Sequence, residues 1–462
     1  MYQFIWIGFF SLVFLLMQIL IWRKTKNLMF VFGLFIIYYW SLYGSWFIIA
    51  DRVGMDSGAH YHYLETKMFR VYLDDNYILT MSYYFIFIFI TQFIILIFSK
   101  KFPKKIHYNT KLYFSHWAVY IIAVLAVFFS VLLIEDALKY AIATEQSAYV
   151  VTRNAEEAGP FFVIHQEMNR FAVFSLAIGI AIYFSNPDSR IFVCEKNRLY
   201  LYIYLLLGLI VFGYCSILGN KNELFVGAFA GIFVYHYNAK VRHGAKIALA
   251  LMVSFLFIIT VDVVRSLSID ELVEDTSVNS LFTGVVKATL SNEAFGAHFS
   301  MYGVLEYKVP LTFGSSFSSL CASVVPRFFW PDRPRDIYWY YADGLSLTEG
   351  QGYTIHHATG WYLNFGVLGI IAGALVLGFI WVFFHNNFSV FVYKKTTFYR
   401  ILFFLAPATF TASMPNLIRG GPENYKGVFI ESILIPTFIL LLAGLNRKKI
   451  ENCKLFEEHD EG

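Results

Sequence analysis

Apolar residues in this chain come in long unbroken runs. They cover roughly 4–22, 28–50, 78–98, 113–134, 171–184, 199–218, 224–237, 247–264, 361–384, 401–414 and 428–445, the seventh and tenth being short. About 20 helical residues cross a ~30 Å hydrocarbon core. In lipid, backbone amides and carbonyls must pair within their own element, and these runs lack the alternation of a barrel strand. The pattern predicts an all-α polytopic membrane protein with about eleven transmembrane helices, forming a single integral-membrane domain over residues 1–462.

Charge fixes a direction. Arg23, Lys24 and Lys26 follow the first run instead of preceding it, and no small-residue cleavage site is present, so the run reads as a retained span with the N-terminus outside. Eleven spans from that start put Lys100–Lys105, Arg190–Arg198, Lys240–Lys246, Lys394–Arg400 and Arg447–Lys449 on the cytoplasmic side, with the C-terminus. This is the distribution the positive-inside rule requires. The long polar connections, 51–77, 135–170 and the large late loop 265–360, then face outward. Loops beyond about 15 residues are uncommon unless functional or internally structured. "SLFTGVVKATL" and "GSSFSSLCASVV" within the last one predict short amphipathic or re-entrant helices. The second is too short and too rich in small residues to be a further span, which would also reverse the sidedness of every later loop.

Composition agrees with this reading: 58% of residues are hydrophobic, 20% aromatic, and mean hydropathy is +0.57. The net charge of +4 follows from the basic cytoplasmic loops, so it argues for no nucleic-acid partner. Four scattered cysteines without a C-x-x-C pair argue against a disulfide framework or a structural zinc site. No phosphate-binding loop, dinucleotide fingerprint, nucleophile elbow or internal repeat is present.

Ionisable residues beside spans are expensive and are candidates for function. At the outer level the sequence places Lys221 and Glu223 in "LGNKNEL", Asp262 with Arg265, Arg327 with Arg333 and Arg335, and Arg419 with Glu423 in "LIRGGPEN". If Lys221, Arg265, Arg327, Arg333, Arg335 and Arg419 converge, they suit a diphosphate, since guanidinium forks bind phosphate oxygens bidentately. His356 and His357 precede the ninth span and fit either a general base or a helix cap. His60, His62 and Glu293 with His298 are weaker candidates. Asp74 and Asp75 resemble the acidic metal-binding pair of polytopic glycosyltransferases or simply form a solvated turn; no metal site is expected. Trp330, Tyr338, Trp339 and Tyr340 suit either stacking on sugar faces or the headgroup layer.

"VPRFFWPDRP" resembles the P-R-x-x-W-P-D-[KR]-P signature of Wzy-type O-antigen polymerases, within the wider O-antigen ligase and polymerase group. "HHATGWYLNFGVLGI" is similar to the His-x-x-x-x-Tyr-Leu…Gly-x-x-Gly pattern closing their large external loop, and "LGNKNELFVGAFAGIFVYHY" to their basic hairpin. The resemblance implies a bacterial cytoplasmic-membrane glycosyltransferase with its active site facing the periplasm. It would move a growing glycan from undecaprenyl diphosphate onto a lipid-linked repeat unit, for lipopolysaccharide, capsule or exopolysaccharide. Arg327, Arg333, Arg335 and Lys221, then Arg265 and Arg419, would bind the diphosphate, and His357 or His356 would be the base. No cofactor, nucleotide sugar or ATP is implied. The implied partners are undecaprenyl-diphosphate-linked oligosaccharides, the lipid bilayer, a chain-length-regulating membrane protein and a flippase. The alternatives are a ligase-type glycan transferase and a flippase or transporter of the lipid-linked unit.

Overall fold

The computed structural model describes residues 2–52, 69–101, 112–144, 151, 160–185, 192–218, 220–238, 293–323, 325, 330, 332, 334, 336–347, 354–394 and 397–444. In chain order the helices are α1 (Tyr2–Thr25), α2 (Leu28–Tyr38), α3 (Gly44–Arg52), α4 (Asp75–Phe98), α5 (His116–Leu133), α6 (Glu135–Ala143), α7 (Pro160–Ser185), α8 (Arg198–Ile217) and α9 (Lys221–Asn238). They continue as α10 (Glu293–Glu306), α11 (Ser315–Ser323), α12 (Ile337–Gly344), α13 (His357–Lys394), α14 (Thr397–Ala412), α15 (Met414–Ile418), α16 (Asn424–Lys426) and α17 (Ile435–Gly444). A π-helical turn, Tyr39–Tyr43, joins α2 to α3, and another, Gly427–Leu434, joins α16 to α17.

Eight helical stretches among the described residues are long and apolar enough to cross a membrane, which makes this a multi-pass membrane protein. They are Tyr2–Thr25, Leu28–Ala50, Asp75–Phe98, His116–Leu133, Ile164–Ser185, Arg198–Ile217, His357–Phe388 and Asn424–Gly444. The expected seventh run is the 18-residue α9, and the tenth is the shorter apolar α14. The expected eighth, 247–264, and "SLFTGVVKATL" lie outside the described residues. "GSSFSSLCASVV" forms the nine-residue α11, too short to span. Large apolar side chains face outward along these helices, as with Leu206 (60% exposed) and Leu209 (74%) on α8 and Ile121 (58%) and Phe128 (56%) on α5. Such continuous faces are stable against lipid and not against water.

The chain folds into two compact units. One combines Met1–Phe102, Ser266–Asn386 and Ser413–Val428; the other combines Pro103–Arg265, Asn387–Ala412 and Phe429–Gly462. Within each, the ends that adjoin basic sequence are tied together by hydrogen bonds. In the first, Lys24 Nζ donates to the Leu96 and Ile97 carbonyls (2.5 and 2.8 Å), His385 Nε2 to Lys100 O (2.8 Å), Asn27 Nδ2 to His385 Nδ1 (2.9 Å) and Asn386 Nδ2 to Phe98 O (2.8 Å). In the second, a two-residue parallel ladder pairs Leu112–Tyr113 with Phe192–Val193. Ser115 N–H donates to Ala443 O (2.9 Å), and Asn238 accepts from Phe192 N–H (3.1 Å). The starts of α5 and α8 and the ends of α9 and α17 therefore share one level in that unit.

The long apolar helix α13 is interrupted after its first two turns. Within α13, Phe365 (φ −142°, ψ 22°) and Gly366 (φ 62°, ψ −143°) leave the helix, so His357–Asn364 is a separate segment. The freed groups find partners in the preceding loop, as backbone excluded from water requires. Leu363 O accepts from Thr312 N–H (2.7 Å). Asn364 accepts from Ser316 N–H (3.2 Å), an otherwise orphaned amide of α11, and donates to Ser316 Oγ (2.8 Å) and Gly360 O (2.7 Å). The segment then folds against the helix that follows. A Cβ on Gly369 would lie 2.0 Å from Trp361 O, and one on Gly373 2.6 Å from the Trp361 ring. Gly366→Ala should cost roughly 1–2 kcal/mol, because a side chain is strained at that positive φ. Gly369→Ala should cost more, since a backbone carbonyl cannot move aside. Gly213→Ala, where an added Cβ meets nothing within 4 Å, should be neutral or slightly stabilising. Thermal unfolding of the three variants in detergent checks this order.

Candidate functional site

Residues from three distant stretches meet in one corner of the first unit: "DIYWYY" at 336–341, "HHATGW" at 356–361 and "RGGPENY" at 419–425. Gly360 and Gly421 make the approach possible. A Cβ on Gly360 would fall 2.6 Å from Gly421 Cα, so the first turn of α13 and the 420–423 turn touch backbone to backbone.

His356 and His357 are both buried. Their tautomers follow from partners that can only donate or only accept. Trp361 Nε1–H donates to His357 Nε2 (2.9 Å), so the ring proton sits on Nδ1 and is donated to Gly420 O (2.8 Å). Ala358 N–H donates to His356 Nδ1 (3.1 Å), so Nε2–H is donated to Ser41 Oγ (2.9 Å). His356 thus caps α13, one of the two roles its position allowed. Burial, with the His357 and His298 rings nearby, holds the His356 imidazole well below its ordinary range. Below these rings lies a lattice of neutral groups. His298 Nδ1–H donates to Ser41 O (2.7 Å), His298 Nε2 accepts from Tyr77 (3.1 Å), Ser300 Oγ accepts from His356 N–H (3.0 Å), and Tyr84 Oη donates to His298 O (2.9 Å). The π-helical turn at Tyr39–Tyr43 lets Ser41 offer both its carbonyl and its hydroxyl to this lattice. Every ring nitrogen of His356 and His357 is engaged, so in this state protonating either ring breaks an existing hydrogen bond.

The carboxyl at this corner is different. Glu423 Oε1 accepts from Ile337 N–H at 2.6 Å, capping α12 from another segment, while buried Oε2 has no hydrogen-bond partner among the described residues. The Ser316 hydroxyl, which accepts from Asn364, lies close enough to favour the charged carboxylate, as does the Ile337 amide, but burial outweighs both. Burial, increased by the Asp336 charge, pushes the Glu423 carboxyl up to about 7.

The remaining sequence candidates fall as follows. Arg265, Arg327, Arg333 and Arg335 lie outside the described residues, as do His60, His62 and Asp262. Lys221 begins α9 with its side chain also outside them, as is that of Glu293 in α10. Arg419 is half-buried at the end of α15, in the turn that holds His357. Trp330 is exposed; Tyr338, Trp339 and Tyr340 are half-buried on α12, and Tyr340 Oη donates to Pro310 O (3.0 Å). Asp74 caps α4, accepting from Tyr77 N–H (2.9 Å) and from the Tyr302 hydroxyl (3.1 Å), a structural role. Among the described residues no group of three or more His, Cys, Asp or Glu is placed to hold a metal ion, and Cys194, Cys215 and Cys321 form no disulfide.

The second unit contains an ionic cluster that run-reading passes over. Arg170 on α7 faces Glu167 (2.5 Å), Glu431 (2.8 Å) and Glu223 (3.6 Å), with only 17% of its side chain exposed. The adjacent Asn169 donates to His165 (3.1 Å) and accepts from Ser130 (2.8 Å). The signal was present as "EMNR", an i,i+3 acid–base pair opening an apolar run. Compared with family models, with curated proteins and with solved structures, the chain matches none.

Removing the cation that pairs with these three carboxylates among the described residues leaves uncompensated charge, so Arg170→Ala should destabilise by roughly 3–5 kcal/mol. Adding Glu431→Gln should recover part of that loss, because one of the stranded charges is gone. Folded yield and thermal midpoint of the single and double variants in detergent check the pairing.

Proposed function

We propose that this protein polymerises lipid-linked oligosaccharide repeat units on the outer face of the bacterial cytoplasmic membrane, transferring a growing glycan from undecaprenyl diphosphate to an acceptor repeat unit. The observation that carries this reading is the meeting of "DIYWYY", "HHATGW" and "RGGPENY" in one corner, because two of these stretches adjoin or contain the polymerase-like patches. Topology supports it. With the basic ends taken as cytoplasmic, the eleven-span topology expected from the sequence, N-terminus outside, would put the starts of His357–Phe388 and Asn424–Gly444, where the corner lies, on the outer side.

The chemistry asks for two things of this chain. The leaving diphosphate gains charge in the transition state, so cations placed beforehand stabilise it more than the ground state. Arg419 is at the corner, and Arg335 and Arg333 stand one and three residues before Asp336, whose neighbour Ile337 is bonded to Glu423. The attacking sugar hydroxyl must also lose its proton. The tyrosines and tryptophan of α12 offer amphipathic faces for the glycan. In this reading the donor's own diphosphate makes ATP and nucleotide sugars unnecessary.

A strain lacking the gene should lose long glycan chains while keeping single repeat units on the surface lipid. Arg327→Ala and Arg333→Ala should reproduce that ladder although the protein reaches the membrane. Normal ladders from both variants would remove the diphosphate assignment. Glycan missing from the surface lipid with polymer still on the carrier would indicate a ligase, and repeat units trapped facing the cytoplasm a transporter.

A further inference from the structure

We propose that Glu423 is the group that accepts the proton of the attacking sugar hydroxyl, in place of the histidines beside it. This rests on the polymerase reading above. The neighbouring histidines have both nitrogens committed, His357 to Trp361 and Gly420 O, and His356 to the Ala358 amide and Ser41. Glu423 is nine-tenths buried, anchored through Oε1 alone, and Oε2 has no hydrogen-bond partner among the described residues. A buried polar atom left unsatisfied in a native fold calls for an explanation, and a reacting proton is one. The carboxyl lies on the turn that also holds His357 and carries Arg419, so base and cation would flank one substrate. Its ionisation near 7, raised by burial and by Asp336, matches what a base operating at neutral pH needs.

The titratable and charged groups around it are Asp336 at the start of α12, His357 on α13, and Arg419, Tyr425 and Lys426 on its own segment. Arg335 lies outside the described residues. In the reaction, the acceptor hydroxyl oxygen forms the new bond to the anomeric carbon as its proton passes to Glu423 Oε2. The bond from that carbon to the diphosphate oxygen breaks, and its electron pair leaves with the diphosphate. Glu423 ends as a neutral carboxylic acid and releases its proton to solvent when product departs. Oε2 is shielded from water in this state, so the acceptor hydroxyl reaches it only as substrate enters the corner.

Glu423→Gln separates catalysis from structure, because the amide oxygen still accepts from Ile337 N–H but takes up no proton. The full-length protein is reconstituted in nanodiscs with lipid-linked repeat units, and polymer formation is followed from pH 5 to 9. Glu423→Gln should lower turnover at least about 100-fold with an unchanged thermal midpoint. The wild-type rate should rise with pH through one ionisation near neutrality. Asp336→Asn should move that ionisation to lower pH, since a neighbouring negative charge is removed, and this readout stands even if Glu423→Gln does not fold. Turnover of Glu423→Gln within threefold of wild type, or a pH limb unmoved in Asp336→Asn, overturns the assignment. A wild-type protein that makes no polymer from lipid-linked units overturns the polymerase reading itself.

Discussion

A helix that stops and restarts inside a membrane domain leaves amides and carbonyls that neither lipid nor the helix can satisfy. The break at Phe365–Gly366 creates that demand, and Thr312, Asn364 and Ser316 meet it. Fixing the break fixes the segment His357–Asn364, which is folded onto the helix that follows through Trp361 and the glycines at 369 and 373. That segment in turn holds the 420–423 turn through His357 and Gly360, and the turn holds α12 through Glu423. The corner is thus the end of a chain of backbone obligations, each met by a specific side chain.

The same demand explains how the buried histidines are bonded. In a low-dielectric interior an imidazolium is penalised, while a neutral ring that donates once and accepts once satisfies two other buried groups. His298, His356 and His357 all do this. Their place beside a helix start makes them conspicuous in sequence, and their bonds tie the corner together. Glu423 has the opposite profile: the sequence marks it only beside Arg419, and it is anchored at one oxygen while the other, buried, has no hydrogen-bond partner among the described residues.

The long helices were legible because run length is the property that lipid imposes, and a sequence displays run length directly. Their polar openings were not. The apolar run begins at Phe171 only because Glu167 and Arg170 interrupt apolarity, although α7 starts at Pro160 and those charges neutralise each other inside it. Glu431, deep in an apolar run, gave no sign of its partner, since a pairing across helices leaves no local pattern. "GSSFSSLCASVV" was legible as a short helix from its length and small residues, whereas the helix break after Asn364 was not, because Gly366 looks like any other glycine in a span. The histidine pair was located correctly at a helix start, but spacing cannot reveal tautomers. The paired aspartates were resolved by a contact distant in sequence, the Tyr302 hydroxyl on Asp74.

Photo-crosslinking tests the central claim most directly. A lipid-diphosphate analogue carrying a photoreactive repeat unit would be presented to the protein in nanodiscs, and the labelled peptides identified by mass spectrometry. The account predicts labels within 336–344, 356–361 and 419–425 that disappear when unlabelled lipid-linked repeat unit competes. Labels confined to other segments, such as α5 and α8, or labels that competition leaves unchanged, would contradict it.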